Sequence, residues 1–143
     1  MPSKYVHFSQ EAFDEICERI ANGESLRSIC ASDGMPNKAS VFRWMAGEEA
    51  QPLRDQYARA RDAQADTLFD EILDIADDAS GDLIETEDGG TRLNAEHVQR
   101  SRLRIDARKW MAGKLRPKVY GDRLELDGKV GLTVTLESDA DKL

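Results

Sequence analysis

From Pro52 to Asp78 the chain carries one long amphipathic helical pattern. Leu53, Tyr57, Ala60, Gln64, Leu68, Ile72 and Ile75 approximate a heptad-like stripe, and Pro52 is tolerated because the first helical turn leaves its N–H unpaired in any case. Phe69, Leu73 and Ala76 widen the stripe beyond what a single partner covers. A chain with this element has to lay other helices along it, and it has apolar surface to spare. A polar link follows at 80–93, where Asp88-Gly89-Gly90 marks a turn and a tiny hairpin is weakly signalled. Asn94 can then cap a helix over about 95–115. Val98, Ile105 and Ala112 lie on one side of it, and Leu103, Ala107 and Trp110 on another. A short helix with two apolar faces needs two neighbours: the preceding helix and, we expect, another subunit.

Residues 9–47 form three shorter helical patterns. Ser9 can cap the first, where Phe13, Ile16, Cys17 and Ile20 recur on one face before Asn22-Gly23 stops it. Ser25 starts the second, with Leu26, Ile29 and Cys30 inward. The breaker-rich turn Asp33-Gly34-Met35-Pro36-Asn37 leads into a third, capped by Asn37, with Val41, Trp44 and Met45 inward and Gly47 at its end. Short helix, tight turn and second helix at 25–46 make up a helix-turn-helix, whose second helix is built to enter the major groove. On that reading Asn37, Lys38, Ser40 and Arg43 are the DNA-binding candidates, Arg43 toward guanine or phosphate. The bland alternative is a three-helix core with solvated polar residues. Residues 1–50 hold five basic and eight acidic side chains, which counts against strong binding by a single copy.

Beyond Pro117 and Gly121 the period changes to two. Leu124 and Leu126 alternate with Glu125 and Asp127, and Leu132, Val134 and Leu136 alternate with Thr133 and Thr135. A β-hairpin within 121–137 is expected, with an odd-numbered loop that keeps both leucine rows on one face. Two strands alone are barely stable in water, so this hairpin must pack on helices or join strands of neighbouring subunits. Residues 138–143 are expected to form a flexible tail, acidic from Glu137 to Asp141, with Ser138, Asp139 and Asp141 its candidate docking residues for a partner.

The net charge is −8 over 143 residues, but its distribution is more telling. From Asp62 to Gly90 there are eleven Asp or Glu and no Lys or Arg, and from Arg92 to Arg123 ten Lys or Arg and three Asp or Glu. Such segregation favours pairing between the two segments, within a chain or between chains. Nothing approaches the apolar length of a membrane span, and the N-terminus lacks a signal-peptide core. Cys17 and Cys30 sit on apolar faces as small hydrophobes rather than as a disulfide. His7 and His97 have no Cys or second His at ligand spacing, so a structural zinc site is not expected.

Enzymatic signatures are missing. There is no phosphate-binding loop, no serine-hydrolase elbow and no HExxH zinc motif. Asp66, Asp70, Asp74, Asp77 and Asp78 are the only catalytic-looking set, with the spacing of a possible Mg²⁺ site. A metal nuclease gathers ligands from different elements, so a solvated or ion-paired helix face is the better reading. No cofactor is expected.

The segment RIDARKWMAGKLRPKVYGDRLELD at 104–127, with SLRSICASDGMPNKASVFRWM at 25–45, resembles the bacteriophage terminase small subunit family. The spacing of Asp106, Arg108, Lys109, Trp110, Lys114, Pro117, Tyr120 and Gly121 is the specific part, while the helix-turn-helix is shared with many regulators. The resemblance spans nearly the whole chain, residues 80–93 excepted. It implies a mainly α protein with a helix-turn-helix unit at 1–50, central helices at 51–120, a hairpin at 121–137 and a tail at 138–143. It further implies a homo-oligomeric ring with the C-terminal hairpins forming an intersubunit barrel or crown. Leu103, Ala107, Trp110 and Met111 are the expected interface residues. The implied partners are double-stranded viral DNA at its packaging site and the large terminase subunit, in the cytoplasm of the infected bacterial host. The competing reading is a dimeric helix-turn-helix transcription regulator reading paired half-sites.

Overall fold

The computed structural model describes residues 6–122. Helices α1 (Gln10–Ala21), α2 (Leu26–Cys30) and α3 (Lys38–Ala46) precede the long α4 (Gln51–Asp77). A small antiparallel ladder of β1 (Leu83–Glu85) and β2 (Thr91–Leu93) follows, then α5 (Ala95–Leu115) and the single turn α6 (Pro117–Tyr120). The C-terminal hairpin expected within 121–137 and the tail residues Ser138, Asp139 and Asp141 lie outside the described residues, apart from Gly121 and Asp122.

Helix starts follow side-chain chemistry. The first backbone N–H groups of a helix have no intrahelical acceptor, and short polar side chains supply one. Ser9 accepts from the Ala12 N–H at 3.3 Å, Ser25 from Ser28 at 3.1 Å, Asn37 from Ser40 at 2.8 Å and Asn94 from His97 at 3.2 Å.

The N-terminal core joins Phe13, Ile16, Cys17 and Ile20 of α1 to Leu26 and Ile29 of α2, Met35 of the turn, Val41 and Met45 of α3 and Ala60 of α4. Trp44 is half-buried at its margin and meets the Phe8 ring edge-on, with centroids 5.3 Å apart. Both cysteines are free, and burial pushes the Cys17 thiol up to about 11, which keeps it protonated and inert.

Three side chains of α4 satisfy carbonyls of this unit. Arg54 Nη1 donates to the carbonyls of Met45 (2.7 Å) and Gly47 (2.8 Å), Gln64 Nε2 to that of Glu24 (3.0 Å) and Thr67 Oγ1 to that of Ala21 (2.6 Å). The carbonyls of Ala21 and Met45 belong to the last turns of α1 and α3, which lack intrahelical donors. Gly23, at φ +102°, lets the α1–α2 turn press close to Thr67 and Glu71. Helix α4 therefore holds the N-terminal helices along its length from Arg54 to Thr67.

Its second half packs on α5. Arg108 meets Glu71 at 2.8 Å and Arg116 meets Asp66 at 2.8 Å, so the two helices run antiparallel. His97 sits 2.9 Å from Asp82 at the hairpin end. These contacts join the acidic and basic segments within one chain. They set register more than they add stability, because partly exposed pairs contribute only about 0–1 kcal/mol.

Helix α6 closes this end. The Tyr120 ring stacks on Phe69 with centroids 4.7 Å apart, and its hydroxyl donates to Asp66 at 2.7 Å. Gly121 has an ordinary extended backbone, with φ −74°, so it is not there for conformational freedom. The glycine is needed for space: a Cβ there would lie 2.4 Å from the Pro117 carbonyl oxygen.

The Tyr120 hydrogen bond, helped by Arg116, holds the Asp66 carboxyl below the ordinary aspartate range. A depressed folded-state value stabilises the native chain above the unfolded pKa and is lost as pH falls through the folded one. Tyr120→Phe removes the largest cause, so the Asp66 titration should move up toward the ordinary value. Carboxyl ¹³C NMR reads this directly, and an unmoved Asp66 titration would contradict the contact.

Candidate nucleic-acid interface

The candidate site is the unit α2–turn–α3. Gly34, at φ +80°, reverses the chain, while Met35 and Pro36 are buried and anchor the turn from beneath. Arg19 of α1 donates to Ser32 Oγ at 3.1 Å, tying α1 to the start of that turn. With α3 clamped at its C-terminal end by Arg54 and capped at its start by Asn37, its outward face is fixed relative to α4.

Helix α3 buries Ser40, Val41 and Met45. Lys38, Ala39, Phe42, Arg43 and Ala46 are exposed. Ser40 was expected on the outward side with Arg43, but it is only 2% exposed. At about 100° per residue it falls beside Trp44 and Val41 on the inward flank, so its hydroxyl faces protein. Asn37 is exposed with its side-chain oxygen committed to the cap, which leaves its amide NH₂ as the group facing outward chemistry. Lys38 stands at the helix start, and Arg43 lies one turn further along.

Phe42 escaped the sequence reading altogether. It is half exposed on the outer face of α3 and takes no part in the N-terminal core. The expected inward set Val41, Trp44 and Met45 already leaves Phe42 nearer the outward side of Ala39 and Ala46 than Ser40, and that offset was the available signal.

The second expected set lies on the helical hairpin. Leu103 and Trp110 are about 60% exposed, Ala107 is exposed and Met111 is half-buried. Lys114 Nζ lies over the Trp110 ring, 5.6 Å from its centroid. Phe69, Leu73 and Val119 add further exposed apolar surface, whereas Ala112, on the opposite side of α5, is buried against α4. A groove of about 700 Å³ runs between Trp110, Phe69 and the α6 turn.

The α4 carboxylates do not converge. Asp66 is engaged by Arg116 and Tyr120, and Asp78 by Ser80. Among the described residues no group of His, Cys, Asp and Glu is arranged to hold a metal ion, and no helix is long and apolar enough to cross a membrane.

Residues 8–127 match the family model described as Bacteriophage Sf6, terminase small subunit-like. The chain belongs to that family. Three crystal structures of single-substitution variants of the terminase small subunit gp1 of the bacterial virus Sf6 are similar to it at 40% identity and a TM-score of 0.64. Each match covers 96% of this chain and 94% of the other. No curated protein matches. Membership accounts for the mainly helical fold and its long helix pair, and it supports a role in phage DNA packaging.

Proposed function

We propose that this chain is the non-catalytic subunit that recognises the packaging site on viral DNA, and that it recruits and regulates the large ATPase and nuclease subunit in the host cytoplasm. Family membership carries this reading, and the outward face of α3 supplies a surface suited to it. Lys38 and Arg43 are the cations of that face, and Asn37 adds an amide at its edge. One such module in an acidic chain is expected to bind only at about 10⁻⁴ to 10⁻⁶ M. A ring of copies presents many modules to one duplex, and simultaneous engagement raises the overall affinity without better individual contacts. The exposed apolar side of α5 is the surface we assign to ring assembly, and family membership favours the ring over a regulator dimer. The acidic tail containing Ser138, Asp139 and Asp141 is assigned to the large subunit.

Lys38→Ala combined with Arg43→Ala removes both cations while sparing every core residue. In a gel-shift titration on fragments of the phage genome at fixed salt, the double variant should lose binding while its native mass stays that of the wild type. Unchanged binding would place the DNA contact elsewhere, the basic face of α5 being the next candidate.

A further inference from the structure

We propose that Phe42 forms a binding site for the thymine methyl group, so that α3 reads T·A pairs by apolar contact beside its charged contacts. This rests on the DNA-binding reading of α3 above and goes beyond it by naming what is read. The geometry of the helix face points there. At about 100° per residue, Ala39 and Ala46 run down the middle of the outward face, with Phe42 on one flank and Arg43 on the other. Lys38 precedes Phe42 by one turn, at the helix start.

A central strip of alanines lets the helix backbone sit deep in a groove about 12 Å wide. On that face of α3 Phe42 is the one large apolar side chain. It is 50% exposed, it is no part of the core that Val41 and Met45 complete, and it lies between cations. In the major groove each base pair presents a distinct pattern, and the only apolar feature in it is the C5-methyl of thymine. A phenylalanine flanked by Lys38 and Arg43 is carried to that methyl when those cations meet the duplex. Lys38 and Arg43 then provide attraction and guanine or phosphate contacts, while Phe42 discriminates.

The test compares two duplexes of identical A·T-rich sequence, one with thymine and one with deoxyuridine throughout, which differ only in the C5-methyl. The full-length assembled protein should bind the thymine duplex about fourfold more tightly for each methyl contacted, the equivalent of burying one methyl group. Phe42→Ala should bind both duplexes equally, and Phe42→Leu should keep part of the preference. Phe42 lies outside the core, so circular dichroism and native mass should match the wild type in both variants. Equal binding of the two duplexes by the wild type would overturn the proposal. A thymine preference that survives in Phe42→Ala would overturn it too, by placing the methyl contact on another residue. Failure of the wild type to bind either duplex, with Lys38→Ala/Arg43→Ala no different, would remove the DNA-binding reading of α3 and this proposal with it.

Discussion

Trp110→Glu should reduce the assembly to monomers or small oligomers. Trp110 is 63% exposed in the single chain, and Leu103 and Ala107 share its side of α5. Large apolar side chains grouped this way mark interaction surfaces, and buried tryptophans are among the residues on which interfaces depend most. In an assembly that covers this face, a glutamate at 110 would be a charge without a partner in an apolar contact. Truncating an interface residue of this kind costs about 2–4 kcal/mol or more, and in a ring the penalty recurs at every junction. The helix itself should survive, because α5 packs on α4 through Ala112 on its other side. Native mass spectrometry and circular dichroism together make the measurement: mass falls while helix content stays. Phe42→Ala, on α3, should leave the mass unchanged. A ring-sized mass for Trp110→Glu would move the subunit interface off this face of α5.

The parts of the fold set by local chemistry were legible in the sequence. Ser9, Ser25, Asn37 and Asn94 all cap the helices assigned to them, because a cap depends on three or four consecutive residues. The bounds of α4 and α5 followed from periodicity and from Pro52 and Asn94. The β1–β2 ladder was only weakly signalled: with three residues per strand, Leu83 opposite Leu93 and both exposed, neither strand has a buried residue to mark its inner side. What escaped was long-range. Nothing near Arg54, Gln64 or Thr67 shows that each donates to a carbonyl in or beside an earlier helix, since those partners are fixed only when α4 packs against the N-terminal unit. The turn α6 escaped because Pro117 reads as a stop, although proline is also acceptable at the start of a new helix.

At the candidate site the error was one of angle. Ser40, expected outward, is buried, because a nine-residue helix leaves few points from which to find its inward direction. Trp44 is the largest apolar side chain of α3, yet it sits at the edge of the core against Phe8. Ser40, small and next to Val41, takes the buried position. The opposite charges of 62–90 and 92–123 were legible as a tendency to pair. Choosing within-chain over between-chain partners needed the antiparallel register that puts Arg108 on Glu71 and Arg116 on Asp66.

Phe13→Ala should separate DNA binding from assembly. Phe13 is fully buried where α1 meets the rest of the N-terminal core, and it is among the largest side chains enclosed there. Truncation removes the transfer energy of the ring and leaves a cavity, together about 3–5 kcal/mol. A domain of ordinary stability has about 5–15 kcal/mol in total, so the loss is a large fraction of what holds α1–α3 in place. For a unit of this size each kcal/mol moves the melting temperature by about 4–8 °C, so the shift should exceed about 10 °C. Loosening α1 also frees the carbonyl that Thr67 satisfies and shifts the turn that Gln64 holds, so α3 loses its fixed orientation on α4. The exposed apolar surface around Leu103 and Trp110 lies on the α5 side, away from this core, and keeps its packing through Ala112 and the Asp66–Tyr120 contact. Calorimetry should therefore show an early transition from the N-terminal unit followed by one near the wild-type temperature. Between the two, DNA binding should be lost and the native mass kept. A single transition in which DNA binding and assembly disappear together would mean that α4 transmits the damage along its whole length, and that the N-terminal unit and the helical hairpin stand or fall as one cooperative body.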